Sequence, residues 1–302
     1  MFTKTLMAAA LVLAPFGAAQ AATLDAVSLL QQFGLITTGD VKVNSLHVHG
    51  RALIGGSLTG NFAEVNNGNI DPKVASDYDE LVLGKATSST KVRVNNHGTA
   101  SYNGTPGELY ADVKSTPALM PENYGAILDA FSNELDSLVA NATVTKVGGN
   151  GLKFNAASSG GVMVYDVTAA DFMNRDISLE LNGADLVVIN VSGSGTFNVM
   201  SNFNYDAVLS KKVVWNLSGF DKVNLQRSVK GQILAGGMEV AFGSDIEGTL
   251  FARSVKAGAQ VHIQTLDYEA PDPVSAVPLP GTLPLLLAGA GALAVVRRRR
   301  RA

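Results

Sequence analysis

Residues able to do chemistry are few in this chain. Its four histidines stand at 47, 49, 97 and 262, and it has no cysteine. His47 and His49 are two apart, so on a strand they face one side and could share a metal ion. No Cys and no third His lies near them in sequence, and an exposed polar strand face explains them as well. Asp77, Asp79 and Glu80 form an acidic group of the oxygen type that calcium takes. They lack both the Asp-x-Asp-x-Asp-Gly loop and the Gly-Gly-x-Gly-x-Asp repeat, which favours a solvated loop. The expectation is therefore no cofactor and no metal site, with calcium the one ion kept in view. Nucleophilic catalysis lacks its parts, since there is no Gly-x-Ser-x-Gly elbow and no thiol. Asp185, Asp206 and Asp245 could meet in space as carboxylate catalysts, although any chain of this size offers such triples. Gly148-Gly149-Asn150-Gly151 lacks the strand and lysine of a phosphate loop and reads as a turn. Aromatic residues make up 7% of the chain, so no stacked-sugar platform is evident.

Whatever these side chains do, short Gly-bounded strands must position them. Gly231-Gln232-Ile233-Leu234-Ala235-Gly236-Gly237-Met238 is followed, 17 residues on, by Gly248-Thr249-Leu250-Phe251-Ala252-Arg253-Ser254-Val255. The same phrase stands upstream as Gly50-Arg51-Ala52-Leu53-Ile54-Gly55-Gly56-Ser57-Leu58. An apolar run between glycines is a buried strand with tight corners. Recurrence at about 20 residues marks the coil of a solenoid, in which each coil buries its apolar face only by stacking on the next. The competing arrangement is a β-sandwich of ordinary hairpins. In a solenoid, Ile233 and Leu250 lie one above the other.

The body is thus expected to be mainly β, a parallel β-solenoid with one flanking helix. Ala26–Gly34 has a weak helical pattern that Gly34 stops. Asn66-Asn67-Gly68-Asn69 and Asn95-Asn96-His97-Gly98 are turns, because Asn and Gly tolerate positive φ. Tyr124–Ala140 breaks the β pattern. Its Ile127, Leu128, Phe131, Leu135, Leu138 and Val139 share one helical face, and a helix this short must dock that stripe along the flank. β pattern then resumes in Thr143–Val147, Gly161–Val167, Ile177–Leu181, Asp185–Val191, Gly195–Val199, Val213–Leu217 and Lys222–Leu225. The run Leu186–Val191 is nearly continuously apolar, as a strand covered on both faces must be.

Both ends of the 302 residues read as processing signals. Lys4, the apolar run Leu6–Phe16 and the small residues Ala19 and Ala21 make a secretory leader over 1–21, with cleavage before Ala22. At the other end a Pro-rich linker (270–276) leads into Val277-Pro278-Leu279-Pro280, an apolar stretch to Val296, and Arg297, Arg298, Arg299, Arg300 and Arg301. From Ala276 the apolar segment would rise about 31 Å as a helix, the thickness of a hydrocarbon core. Arginines remain cytoplasmic, so the tail places the body outside the inner membrane. Removing Lys4 and the five arginines leaves 17 of the 23 basic residues against all 26 acidic ones, about −9 in place of −3. An acidic body excludes nucleic acid as the expected partner, since phosphate contacts need basic side chains.

The tail at 277–302 resembles the PEP-CTERM sorting signals, in the variant beginning Val-Pro-Leu-Pro, with Gly281 where that variant carries Ala. The resemblance implies a Gram-negative bacterium, cleavage near Val277–Pro280 by an exosortase-like sorting protease, and transfer to the surface or release. The body, 22–269, resembles the choice-of-anchor A family, an adhesive domain found with several different anchors. Leu35-Ile36-Thr37-Thr38-Gly39-Asp40, the Gly50–Leu58 phrase, Gly231–Ala235, Gly248–Val255, His262 and Tyr268 carry that likeness. Together with the leader, the anchor, the stacked strands and the missing catalytic set, it leads to the expectation of non-enzymatic adhesion through an extracellular polysaccharide or surface ligand, after export by the Sec pathway. A polysaccharide-active β-helix enzyme is the alternative. Ice binding ranks below both, because it wants regular Thr-x-Thr ranks and Thr143-Val144-Thr145 is the single instance in the body, 22–269.

Overall fold

The computed structural model describes residues 25–68, 75–87, 89–155 and 160–269. The leader, the linker and the sorting motif with its apolar segment and arginines lie outside the described residues. The chain begins with helix α1 (Ala26–Gln32), whose first turn is capped by the Asp25 carboxylate accepting from the Ser28 N–H at 2.7 Å. Gly34 does not stop this helix as expected. It already belongs to the first strand, because Phe33 takes extended backbone at the cap.

Eight strands follow: β1 (Phe33–Thr37), β2 (Val41–Val48), β3 (Arg51–Val65), β4 (Leu81–Ala86), β5 (Lys91–Val94), β6 (Thr99–Gly104), β7 (Leu109–Tyr110) and β8 (Val113–Ser115). Helix α2 (Tyr124–Ser137) comes next, then β9 (Thr145–Val147), β10 (Gly151–Asn155), β11 (Val162–Thr168), β12 (Asp176–Glu180), β13 (Leu186–Val199) and β14 (Asn202–Phe203). The last six are β15 (Val213–Leu225), β16 (Val229–Lys230), β17 (Gln232–Phe242), β18 (Ile246–Glu247), β19 (Leu250–Ala257) and β20 (Gln260–His262). Two pairs of expected strands are continuous. Leu186–Val199 and Val213–Leu225 each turn a corner without leaving the ladder, at register shifts beside Gly195 and between Asn216 and Lys222.

The pairing is parallel, coil over coil. Ile233 stands on Leu250, as the solenoid required. Among the described residues the single antiparallel pair is β9–β10, a hairpin around Gly148, which confirms the turn expected at Gly148–Gly151. Coil order does not follow chain order. One side of the stack runs β11, β13, β15, β17, β19, β1, β3, so the N-terminal strand β1 is inserted between β19 and β3. Chain segments before and after α2 therefore meet at β1, each closing an edge that the other would leave open. The three related phrases become near neighbours. Inward, Tyr165, Ile189, Trp215, Ile233, Leu250, Leu35, Ala52 and Leu81 form one buried column. Around Trp215 the rings of Phe172, Phe203 and Phe154 lie 5.0, 5.4 and 5.8 Å away, and its indole N–H donates to the Lys230 carbonyl at 2.7 Å.

Outside this column lies a second one, Asp166, Asn190, Asn216, Leu234, Phe251 and Ile36. Helix α2 packs over it against β13, β15 and β17, which is the flanking position expected. Three of its four polar bonds use the buried amides: Asn190 donates to the Leu135 carbonyl at 3.0 Å, Asn216 to the Ser132 carbonyl at 2.9 Å, and the Ser132 hydroxyl to Asn216 Oδ1 at 2.5 Å. Asn216 also donates to Asn190 Oδ1 at 3.0 Å. Buried amides must be paired, so this ladder selects where the helix lies. The helix ends at Ser137 rather than Ala140, with Leu138 already extended and Val139 86% exposed. Among the described residues no helix is long and apolar enough to cross a membrane.

Candidate functional site

Helix α2 covers the side formed by β13, β15 and β17, so the outward ranks of the other sides are the candidate surface. On the second side, Phe197, Val223, Val240, Val255 and Val41 point inward. Alternation along each strand turns their neighbours outward. One outward rank reads Thr196, Lys222, Glu239, Ser254, and the next Asn198, Asn224, Ala241, Lys256, Lys42, Thr59. Glu239 lies 3.2 Å from Lys222 and 3.0 Å from Lys256, and its hydrogen bond to Lys256 holds its carboxyl below the usual range. Asn224 donates to Asn198 at 2.8 Å. This surface carries amides, ammonium groups, hydroxyls and the Glu239 carboxylate, on strands about 4.8 Å apart.

The third side gathers three of the four histidines. Strand β20 lies on β2 with His47 opposite Gln260 and Val48 opposite Val261, which brings His262 beside His49. Their ring centroids are 4.5 Å apart. His262 Nδ1 is 2.6 Å from Glu247 Oε1, its Nε2 is 4.0 Å from Asp245, and His49 Nε2 is 3.1 Å from Gln260 Oε1. His47 points to Glu64, 3.4 Å away. Sequence spacing shows the His47–His49 pair alone. His262 joins through pairing across the junction of the chain's two ends, which no local pattern records. Among the described residues no group of three or more metal-ligating side chains is placed to hold a metal ion.

Burial lowers the His49 pKa below its ordinary 6.5, with His262 and His47 adding repulsion while the Gln260 bond and Glu247 oppose. The unfolded chain therefore takes up this proton first as pH falls, and stability drops from about pH 6.5 downward until the folded His49 is protonated too. Thermal unfolding of His49→Gln, which keeps a polar partner for Gln260, is expected to lose less stability than the parent between about pH 7 and about pH 5. An identical pH dependence in the two proteins would refute this role.

The other residues singled out by sequence have local tasks. Thr99 donates its hydroxyl to Asp79 at 2.5 Å, and its N–H to Glu80 at 2.8 Å, and Glu80 faces the buried Arg51 at 4.0 Å. A guanidinium beside these carboxylates makes the corner a poor calcium cradle. Asp185 accepts from the Gly161 N–H, Asp206 caps the helical turn at Ala207, and Asp245 accepts from the Gln260 N–H. Each of the three is thus held by a backbone N–H.

Residues 26–263 match the family described as "Putative Ice-binding-like adhesive domain". The chain belongs to this family. The match covers the whole coil stack, from α1 through His262, so the adhesive-domain reading of the body holds at family level. No curated protein matches the chain. Solved structures that resemble it include an ice-binding protein from the Antarctic ascomycete Antarctomyces psychrotrophicus, 12% identical over 79% of this chain and 98% of that one, with a TM-score of 0.33. A glycosylated ice-binding protein from an Arctic yeast is 15% identical over 85% of this chain and 100% of that one, with a TM-score of 0.38. One from an Antarctic biological consortium is 14% identical over 78% and 88%, with a TM-score of 0.37.

Proposed function

We propose that this protein is an exported, surface-anchored adhesin without catalytic activity, holding a polysaccharide or another surface ligand on the polar sides of its stack. The observation that carries the reading is membership of the adhesive-domain family across the full coil stack. The ranks of amides and ammonium groups on the second side support it, since they offer many repeated hydrogen bonds and no reactive centre. In this reading 1–21 is removed on export, 22–269 adheres, and 277–302 holds the body at the inner membrane until an exosortase-like protease acts near Val277–Pro280. Cells lacking the gene are expected to attach less to surfaces and matrix. Equal attachment under every matrix condition would end the proposal. Incubation with envelope glycans should yield no shortened products, and chain shortening would favour the polysaccharide-active enzyme instead.

Ice binding is the second reading, favoured by the description of the family itself. Thermal hysteresis and ice shaping by the purified protein decide it. A clear hysteresis gap makes ice the ligand, and its absence together with glycan binding leaves the first reading.

A further inference from the structure

The terminal rung of the stack carries a groove lined by Arg93, Asn95, His97, Tyr110, Asp112 and Lys114. The geometry points to this groove as a saccharide subsite that takes a pyranose ring against Tyr110, and this assignment rests on the adhesion proposed above. Tyr110 is 49% exposed, and it stands in register beside Arg93. The Lys91 ammonium sits 5.4 Å from the ring centroid and lies outside the groove lining, while Glu108 accepts from the hydroxyl at 3.2 Å. The ring is thereby held rigid at little further cost on binding.

Beside the ring are planar polar groups suited to sugar hydroxyls. Asp112 Oδ2 is 2.8 Å from His97 Nδ1, which orients the carboxylate, and the half-exposed Arg93 guanidinium has Glu64 at 3.5 Å. Left-handed backbone at Asn96 and His97 folds this corner back toward Asp112. A pyranose has one apolar C–H face and a rim of hydroxyls. An aromatic plate flanked by a carboxylate, an amide and a guanidinium meets both. Among the described residues β7 pairs with β5 alone, which puts the groove at an edge of the ladder.

The test titrates the full chain with cellohexaose, chitohexaose and oligogalacturonate by calorimetry, which separates neutral from carboxylated sugars. Tyr110→Ala and Asp112→Ala are each expected to weaken the preferred glycan by about ten-fold or more, while Tyr110→Phe, which keeps the ring and loses the bond to Glu108, weakens it by less than about three-fold and Lys146→Ala, on the separate four-stranded sheet, binds like the parent. Thermal unfolding checks that Tyr110→Ala stays folded, as a half-exposed ring on the last rung allows. Parent binding with undiminished binding by folded Tyr110→Ala overturns this subsite and leaves the adhesin reading standing. No binding of any of the three glycans by the parent overturns the saccharide assignment, while loss of attachment in cells lacking the gene would still uphold adhesion to another surface ligand.

Discussion

Trp215→Ala is expected to cost about 3–5 kcal/mol of stability, the range for removing a large aromatic from a packed core. Trp215 is the one tryptophan of the chain and is 3% exposed. Its indole packs against Phe154, Phe172 and Phe203, of which the first two come from one coil and Phe203 from the coil that begins at Asn202. A cavity of about 20 Å³ already borders it, lined also by Phe172 and Ile233, and truncation would join the lost indole volume to that void. The Lys230 carbonyl keeps the Tyr205 hydroxyl as donor, so the loss is one of packing more than of hydrogen bonding. Because the variant has no tryptophan, unfolding is followed by far-ultraviolet circular dichroism in denaturant. A midpoint shift corresponding to less than about 1 kcal/mol would show that the core is not organised around this ring.

Gly248→Ala is expected to cost about 2–4 kcal/mol, combining a disfavoured φ with a contact that cannot relax. Gly248 has φ +154° and a Cβ built on it would stand 2.2 Å from the carbonyl oxygen of Gly231. That oxygen belongs to the glycine one coil below, so moving it means moving a rung. Gly231 is itself held, since a Cβ there would come 2.7 Å from the Trp215 indole nitrogen. Gly243→Ala is the control, because nothing lies within 4 Å of a Cβ at that corner. Thermal melts of the two variants should differ widely. If both melt like the parent, the corner glycines are not what allows the rungs to stack.

The solenoid was legible because its cause is local. A glycine at a corner, four or five apolar residues and a return after 17 positions are the same physical unit wherever they occur, and each unit leaves its apolar edge to be covered by another. The helix was legible for a similar reason, from the spacing of Leu128 and Leu135, although its end was overrun by three residues because Leu138 and Val139 continue the pattern after the backbone has become extended. The groove at Tyr110 is not legible in the sequence, for the opposite reason. Tyr110 is an unremarkable residue in a two-residue strand, and only the rung beneath it supplies Arg93.

From its own residues the chain determines which side chains point into the coils and where the corners fall. The order of the coils was decided by tertiary structure alone. Backbone hydrogen bonds are the same between any two parallel strands, so a strand's sequence records its inward face without naming the neighbour above it. Inserting β1 between β3 and β19 closes two open edges at once, and Thr249 ties the junction by donating to the Leu30 and Phe33 carbonyls at 3.1 and 2.8 Å. That closure is what carries His262 across more than two hundred residues to His49, a neighbour that spacing along the chain does not encode.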